Sequence, residues 1–516
     1  MEWLEGRARE AGRPARRAKG GVHAQQEPKS RERQRRSQSP HSTDEIRTTQ
    51  PYGGKGGRKI EVGRTNDSKQ SFGVTMESKQ ETETQSRPRE DRWKWVEENI
   101  WSDNMLTALV NGVKGNKWFS LIDKVYKPET LANAWEKVKA KKGAGGIDNM
   151  TIKIFQANKG RYLQELEQQL KLGSYQPDAV KRVYIPKGDG KKRPLGIPTV
   201  KDRIVQMAIK MVIEPIFEKE FVSDSYGFRP GKGQKDALRT VDQLIKEGYC
   251  WVVDADLKSY FDTIPHENLM KDVEERISDG RILKLIKLFL NQEIMDEMKS
   301  WIPITGTPQG AVLSPLLANV YLHPLDCLMR GLNYKMVRYA DDFVILCSSE
   351  QEAEQALARV RQWTDDRGLC LHPEKTHVGN CMKEGEGFEF LGYRFEAGRR
   401  YVRKKSFMKF KEAIRTKTSR SCGISIQKVI ENLNPLLKGW YNYFKQAYKT
   451  TFPYVDGFIR RRLRAILRAQ EKRQAFGRTK EDHKRWPNKY FANLGLFTME
   501  THRANEVACQ SRCGNY

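Results

Sequence analysis

Residues 336–346 read MVRYADDFVIL, in which two adjacent acids lie between two apolar, β-rich runs. Such runs predict two strands meeting at a tight turn. Neighbours on a flat strand point to opposite faces, but at a hairpin tip Asp341 and Asp342 can both approach one ion. Adjacent carboxylates in apolar surroundings repel each other, and a divalent cation removes that repulsion. Taken alone, such a pair is more often an ordinary polar turn, where Asp is common.

A second β-rich run also ends in acids. Residues 251–257 read WVVDADL, followed by KSYFD at residues 258–262. A sheet that places Asp256 beside the hairpin would complete a site of three carboxylates. Mg²⁺ favours octahedral oxygen ligation by a few carboxylates, waters and substrate phosphates. Two such ions can activate a primer 3′-hydroxyl and stabilise the leaving pyrophosphate in an in-line displacement.

The charge of the chain indicates a polyanionic partner. Lys and Arg number 93 against 65 Asp and Glu, a net charge of +28. Such an excess suits binding to phosphates with release of counterions. No apolar run approaches the ~20 residues of a membrane span, and no signal peptide follows Met1. The eight cysteines are mostly scattered, which suits free thiols, and the close pair Cys509 and Cys513 lacks the four ligands of a zinc site.

The pattern of apolar residues divides the chain into segments. Residues 1–88 are basic and poor in aromatics, so we expect a disordered extension. Helical and β-rich segments then alternate, which predicts an α+β fold with a small sheet supported by helices. Predicted strands include a hairpin over residues 182–197 and one strand from Phe388 to Phe395. Beyond a boundary near residues 398–405 the chain becomes basic, with helices predicted from Ile426 to Tyr448 and from Pro453 to Arg473.

The order of the motifs resembles that of reverse transcriptases encoded by group II introns, of the type that lacks an endonuclease. The matching stretches are YIPKGDGKKRPLGIP (184–198), YGFRPG (226–231), DLKSYFD (256–262), TPQGAVLSP (307–315), YADD (339–342), GL (368–369) with PEKT (373–376), FLGY (390–393) and LNPLLKGWYNYF (433–444). The resemblance implies a right-hand polymerase fold. It implies N-terminal helices and fingers over residues 89–250, a palm over 251–398, and an all-α thumb and maturase region over 399–516.

The resemblance also implies residue roles. Asp256, Asp341 and Asp342 would hold two Mg²⁺ ions, with Mn²⁺ as a substitute, whereas Asp254 and Asp262 would position the site. Lys375 would protonate the leaving pyrophosphate, with an ordinary surface lysine as the alternative. Four residues would contact the incoming dNTP: Lys187, Arg193, Phe261 and Gln309. Phe261 would act as a steric gate against the ribose 2′-hydroxyl, the group that separates RNA from DNA precursors, with a core aromatic as the alternative.

The implied activity is that of a nucleotidyltransferase that copies RNA into DNA. Its partners would be the intron RNA, both template and splicing client, a DNA target and primer, and dNTPs, in the bacterial cytoplasm rather than an organelle. The sequence does not decide between a monomer and a homodimer. Two alternative functions also stay open: a splicing factor that needs no polymerase activity, and a reverse transcriptase recruited to a CRISPR-type system. Five arginines of one helix would follow an RNA backbone: Arg460, Arg461, Arg462, Arg464 and Arg468. Most of the aromatics at residues 440–444 would form a helical core.

Overall fold

The computed structural model describes residues 91–186, 192–297, 299–420, 423–473 and 477–513. The predicted disordered extension, residues 1–88, lies outside these ranges. Lys187 and the predicted turn that begins with it lie outside them as well. None of the helices in the described ranges combines the length and the apolar character that a membrane span requires.

Short helices open the described chain. They are α1 (Asp103–Asn111), α2 (Ile122–Tyr126), α3 (Pro128–Ala140), α4 (Ile152–Ala157) and α5 (Lys159–Leu172). The helical pattern predicted from Trp93 to Trp135 is interrupted, because Gly112 at φ 89° ends α1 and Pro128 begins a new helix. Their apolar stripes bury Trp101 and Trp135 completely.

A four-stranded sheet carries the predicted fingers hairpin. The next elements are β1 (Val180–Pro186), β2 (Lys192–Ile197), α6 (Val200–Glu220), α7 (Gln234–Lys246), β3 (Trp251–Asp256), α8 (Tyr260–Thr263), α9 (His266–Glu274), α10 (Gly280–Leu290), β4 (Ile294–Asp296) and β5 (Lys299–Trp301). Strands β1 and β2 pair antiparallel, as predicted, and β4 adds parallel to β1. The sheet order is β2-β1-β4-β5.

A second sheet holds both acidic strands. The next elements along the chain are α11 (Ser314–Gly331), β6 (Lys335–Tyr339), β7 (Asp342–Cys347), α12 (Glu350–Asp366) and β8 (His377–Asn380). The order is β6-β7-β3-β8, and all three pairings are antiparallel. The predicted hairpin over residues 335–347 and the predicted strand ending at Asp256 are both confirmed. We call this the palm sheet.

A third sheet corrects one prediction. It consists of β9 (Phe388–Phe390), β10 (Tyr393–Glu396) and β11 (Arg399–Val402), in the order β11-β10-β9. The single strand predicted from Phe388 to Phe395 is wrong, since Leu391 at φ 48° and Gly392 at φ 82° reverse the chain. Two residues at positive φ are typical of a tight hairpin turn. The boundary predicted near residues 398–405 contains β11, so the helices begin only at Lys404.

Helices complete the chain, and they share a core with the palm sheet. They are α13 (Lys404–Lys417), α14 (Ile426–Phe444), α15 (Thr451–Gln470), α16 (Lys480–Arg485), α17 (Asn488–Asn493) and α18 (Met499–Cys513). One cluster of buried residues joins Val252 and Val344 of the palm sheet to Leu437 and Ile459 of these helices. The opposite face of β3 belongs to a second cluster with the N-terminal helices. The predicted α+β class with a helical C-terminal region is confirmed.

Candidate active site

The register of the palm sheet brings the two acidic segments together. Asp256, the last residue of β3, lies directly opposite Asp342, the first residue of β7. Residues that face each other in an antiparallel pair have side chains on the same face, with Cβ atoms about 5 Å apart. Asp254 lies two residues before Asp256 and therefore shares that face. The sequence predicted this juxtaposition, and the strand pairing provides it.

Asp341 lies in the turn between β6 and β7. Tyr339 pairs with Asp342, so only Ala340 and Asp341 connect the strands. Ala340 has φ 61°, a conformation that costs energy for a residue with a side chain and that neighbours must hold in place. Gly227 is one such neighbour, because a Cβ there would lie 2.1 Å from the Ala340 nitrogen. We call residues 339–342 the catalytic turn.

A buried arginine supports the catalytic turn. The guanidinium of Arg338, 1% exposed, donates to both oxygens of Asp326, at 2.7 and 2.5 Å. It also donates to the carbonyl oxygen of Ala340 and to Asn319 Oδ1, each at 2.9 Å. Asn319 Nδ2 in turn donates to the carbonyl oxygen of Gly227 at 2.8 Å. The sequence did not predict this network. Its only sign in the sequence is an arginine within an otherwise apolar strand.

The carboxylates of the site perturb one another. Burial raises the pKa of Asp342 to about 7, and the charges of Asp254, Asp341 and Asp256 add to the rise. Burial also raises the pKa of Asp341, and Asp256 again adds to it. The pKa of Asp254 is raised to about 6, first by burial. Close carboxylates that disfavour one another's ionised form are a setting that a divalent cation stabilises.

Lys375 supplies a positive charge to this site. Its ammonium forms an ion pair with Asp256. Two backbone hydrogen bonds hold Lys375 near Asp256. The backbone nitrogen of His372 donates to the Asp256 carbonyl oxygen at 2.7 Å, and the backbone nitrogen of Lys375 donates to the His372 carbonyl oxygen at 3.2 Å. The sequence predicted Lys375 for the site but did not predict its partner.

The donors of the site are carboxylate oxygens, the type of ligand that hard divalent cations take. Within the described ranges, no three His, Cys, Asp or Glu side chains converge on one point that a metal could occupy. Asp256 is instead engaged by Lys375, while Asp254 Oδ2 accepts from the Glu389 nitrogen at 3.3 Å. Asp341 and Asp342 flank Asp256 as half-buried carboxylates. Hard oxygen donors of this kind are the ligands that Mg²⁺ prefers.

Three predicted nucleotide-binding residues, Arg193, Phe261 and Gln309, lie around Asp262. Arg193 Nε donates to Gln309 Oε1 at 2.9 Å, and Gln309 Nε2 donates to Asp262 Oδ2 at 3.1 Å. This chain of side chains joins the fingers hairpin to the residues that follow β3. Phe261 is half-buried next to Tyr260, with ring centroids 5.5 Å apart, and its carbonyl oxygen accepts from the Thr307 nitrogen at 2.6 Å.

The structure corrects the predicted basic face of α15. Arg464 is 2% exposed and donates to the Trp486 carbonyl oxygen at 2.9 Å. Arg468 pairs with Asp482 at 2.6 Å, and Arg462 donates to the Thr418 carbonyl oxygen at 2.6 Å. The prediction that all five arginines follow RNA is therefore wrong for Arg464, whereas Arg462 and Arg468 are half-buried and hold acceptors of the protein itself. Their guanidinium groups satisfy carbonyl and carboxylate acceptors inside the protein, as buried charges must.

The helical region also contains buried aromatic side chains and a cleft bordered by cations. The prediction of a helical core is confirmed for three aromatics, which are buried: Trp440, Tyr441 and Phe444. Arg461 and Lys411 remain at the surface and border an open cleft of about 420 Å³ beside the ring of Phe458. Both cations lie over that ring, at 5.2 and 5.1 Å from its centroid.

Two protein-family models match the chain. Residues 185–395 match the reverse transcriptase (RNA-dependent DNA polymerase) model, and residues 407–486 match the group II intron, maturase-specific domain. The first match begins at the end of β1 and runs through β2 and the palm sheet into β10. The second covers α13, α14, α15 and α16.

Several curated proteins are similar to part of this chain. Protein YkfC of Escherichia coli is 36% identical over 315 residues, which cover 53% of this chain and 82% of that protein. Group II intron-encoded protein LtrA of Lactococcus lactis is 38% identical over 266 residues, 51% of this chain and 40% of LtrA. An uncharacterized protein in the cob intron of Schizosaccharomyces pombe is 28% identical over 56% of this chain and 40% of its own length. The alignments thus span less than half of both intron proteins.

A solved structure is also similar in part. A chain of a Cas6-RT-Cas1–Cas2 complex has 26% identity and a TM-score of 0.32, over 48% of this chain and 41% of that chain. A score of this size carries no argument about fold or partners.

The fold, the carboxylate register and the two matched domains define a class of protein. This is an RNA-directed DNA polymerase of the right-hand type, with fingers and palm followed by a helical thumb. More particularly, the chain belongs to the family of group II intron reverse transcriptases that carry a maturase domain. The family predicted from the motif order is confirmed.

Proposed function

We propose that this chain copies intron RNA into DNA at a site built on Asp256, Asp341 and Asp342, and that it also binds that RNA to assist its splicing. The observation that carries the catalytic part is the register that sets Asp256 opposite Asp342, with Asp341 in the adjoining turn. It brings carboxylates from two distant segments to one edge of the palm sheet. The maturase part is supported by the matched domain over residues 407–486.

The three carboxylates would hold two Mg²⁺ ions, for which Mn²⁺ could substitute. Such ions, when bound, activate the primer 3′-hydroxyl and stabilise the leaving pyrophosphate. The protein itself contributes position, because the Arg338 network fixes the catalytic turn against α11. Lys375 is the candidate donor of a proton to the leaving pyrophosphate, since its ammonium already lies at Asp256.

The incoming dNTP would lie between the fingers hairpin and the residues after β3. Arg193 is exposed and offers guanidinium N–H groups to phosphate oxygens, and Gln309 holds it toward Asp262. Lys187 of the hairpin belongs to the same proposed set. Phe261 would oppose the 2′-hydroxyl of a ribonucleotide.

The steric-gate assignment has a direct test. Replacing Phe261→Ala removes the ring that would meet a 2′-hydroxyl, so we expect incorporation of ribonucleotides to rise about tenfold or more relative to deoxyribonucleotides, ~1.4 kcal/mol of lost discrimination. Single-nucleotide incorporation with each substrate measures the ratio. Phe119→Ala, an equivalent change at a 68% exposed aromatic, serves as the control. An unchanged ratio in Phe261→Ala would assign the ring to packing instead.

The partners follow from the proposed activity. They are the intron RNA as template and splicing client, a DNA target that supplies the primer, and dNTPs. The surface cations beside Phe458 support RNA binding, since aromatic rings interleaved with cations suit stacked bases and phosphates. The bacterial relatives support a place in the bacterial cytoplasm.

One experiment separates the polymerase from the splicing role. The double variant Asp341→Ala/Asp342→Ala and the wild type are assayed for primer extension on an RNA template and for intron splicing at low Mg²⁺. We expect the variant to lose extension and to keep splicing, since the splicing chemistry belongs to the RNA. Extension retained by the variant would refute the site. A folded wild type without extension would leave the splicing role alone.

A further inference from the structure

The short helix that carries Phe261 is held by donors from another part of the chain. Helix α8 has four residues, too few to be stable by itself. The last carbonyl groups of a helix have no partner within it. Residues 305–307 supply partners here: the Thr307 nitrogen donates to the Phe261 carbonyl oxygen at 2.6 Å, and the Gly306 nitrogen donates to that of Ile264 at 2.8 Å. We call residues 305–307 the gate clamp.

The gate clamp packs directly against the backbone of α8. Thr305 Oγ1 donates to the Asp262 carbonyl oxygen at 3.2 Å. A Cβ at Gly306 would lie 2.8 Å from the carbonyl oxygens of Phe261 and Asp262, and Gly306 has φ 90°, which favours glycine. Because the contact is between two backbones, a shift of the gate clamp would shift the backbone from which the Phe261 ring projects.

The imidazole of His266 holds the gate clamp from outside. His266 Nε2 lies 2.6 Å from the Gly306 carbonyl oxygen, and since a carbonyl can only accept, Nε2 is the donor. Nδ1 of the same ring lies 3.1 Å from Oδ1 of Asn291, the residue that ends α10. Helix α10 is fixed in turn, because Ile286 and Leu290 are buried in the core with the N-terminal helices. The ring therefore bridges an anchored helix and the gate clamp.

We propose that His266 is a positioning residue that sets the discrimination between deoxyribonucleotides and ribonucleotides, because it fixes Phe261 through the gate clamp. This inference rests on the proposed function, in which the Phe261 ring opposes the 2′-hydroxyl. Groups that make such a selection must be held to within about 0.5 Å by the residues that support them. A four-residue helix meets that requirement only with support from outside, and His266 anchors the centre of that support.

A role in starting helix α9 is the competing explanation for His266. A side chain that caps a helix start accepts hydrogen bonds from the first N–H groups of its own helix. The His266 ring instead donates to an acceptor 40 residues further along the chain. Loss of a purely structural histidine would lower stability and impair the use of both kinds of nucleotide equally. Loss of a positioning residue would change their ratio.

The test measures kcat/KM for incorporation of one dNTP and of the matching ribonucleotide on an RNA template. We expect His266→Ala to lower the ratio of the two values about fivefold, the effect of one hydrogen bond. His266→Gln has an amide that can still donate and should keep most of the ratio. The double variant Phe261→Ala/His266→Ala should have the ratio of Phe261→Ala, because the histidine acts through the ring. His483→Ala, at an exposed histidine of α16, is the matched control.

The outcomes distinguish this inference from the proposed function. A wild-type ratio in His266→Ala, or a further fall in the double variant relative to Phe261→Ala, would overturn the role of His266 alone. If circular dichroism shows that His266→Ala is unfolded, Thr305→Val, at an exposed residue, removes another bond of the gate clamp and should lower the ratio about threefold. An unchanged ratio in Thr305→Val would overturn the inference as well. A wild type that extends no primer would overturn the proposed function.

Discussion

The buried pair of Arg338 and Asp326 gives the sharpest prediction about the catalytic turn. Replacing Arg338→Met leaves the Asp326 carboxylate, 4% exposed, without its cation. Loss of one partner of a buried pair costs about 3–5 kcal/mol of unfolding free energy. The double variant Arg338→Met/Asp326→Leu removes both charges, and such apolar replacements recover most of the stability. We therefore expect a large loss in the single variant and a small one in the double.

Activity should respond differently from stability. Both variants lack the donor to the Ala340 carbonyl oxygen, and hydrogen bonds from charged groups contribute about 1.5–3 kcal/mol. If half of that contribution positions the carboxylates, primer extension falls about fourfold to twelvefold in both variants. The comparison thus separates a role in folding from a role in placing the turn.

Two assays complete this test. Urea denaturation followed by circular dichroism measures stability, and single-turnover primer extension below the unfolding range measures activity. Arg330→Met, at an exposed arginine of α11, controls for the loss of a positive charge. A double variant as unstable as the single one would show that Asp326 is not the group that makes Arg338 essential. Wild-type extension by the double variant would refute the positioning role.

Three further predictions concern other parts of the molecule. Gly227→Ala places a methyl group 2.1 Å from the turn backbone, so extension should fall at least a hundredfold in a rate assay while RNA binding persists. Mg²⁺ should raise the Tm by relieving carboxylate repulsion, a rise that should vanish in Asp341→Ala/Asp342→Ala by differential scanning fluorimetry. Arg464→Ala should lower the free energy of unfolding by about 2–4 kcal/mol, whereas Arg461→Ala should leave it unchanged and reduce the salt dependence of RNA binding. An unstable Arg461→Ala would contradict the last prediction.

The two strands that carry the carboxylates could be predicted from the sequence. Alternating and β-branched runs around Asp256 and Asp342 predict strands with acids at their ends, and the order of motifs then predicts that they meet. Pairing register is set by long-range packing, so the alignment of these two residues became visible only in the folded chain. Their role as metal ligands stays a prediction.

Other features depend on partners far along the chain. Arg464 and Arg468 look like surface cations on a helix, and only the fold reveals that residues 482–488 cover them. Strand β8 is four residues long and has no alternating apolar pattern, so its sequence gives no strand signal. The turn at Leu391 was missed because a positive φ at a leucine is rare.

The core shared by the palm sheet and the helical region has a practical consequence. Val252 and Val344, on strands that carry proposed metal ligands, pack in the same apolar cluster as Leu437 and Ile459. A shortened enzyme ending after β11 would expose that apolar face to water and invite aggregation. Polymerase and maturase regions therefore share one apolar core, and a chimera joined at the domain boundary must keep the packing on both sides of it.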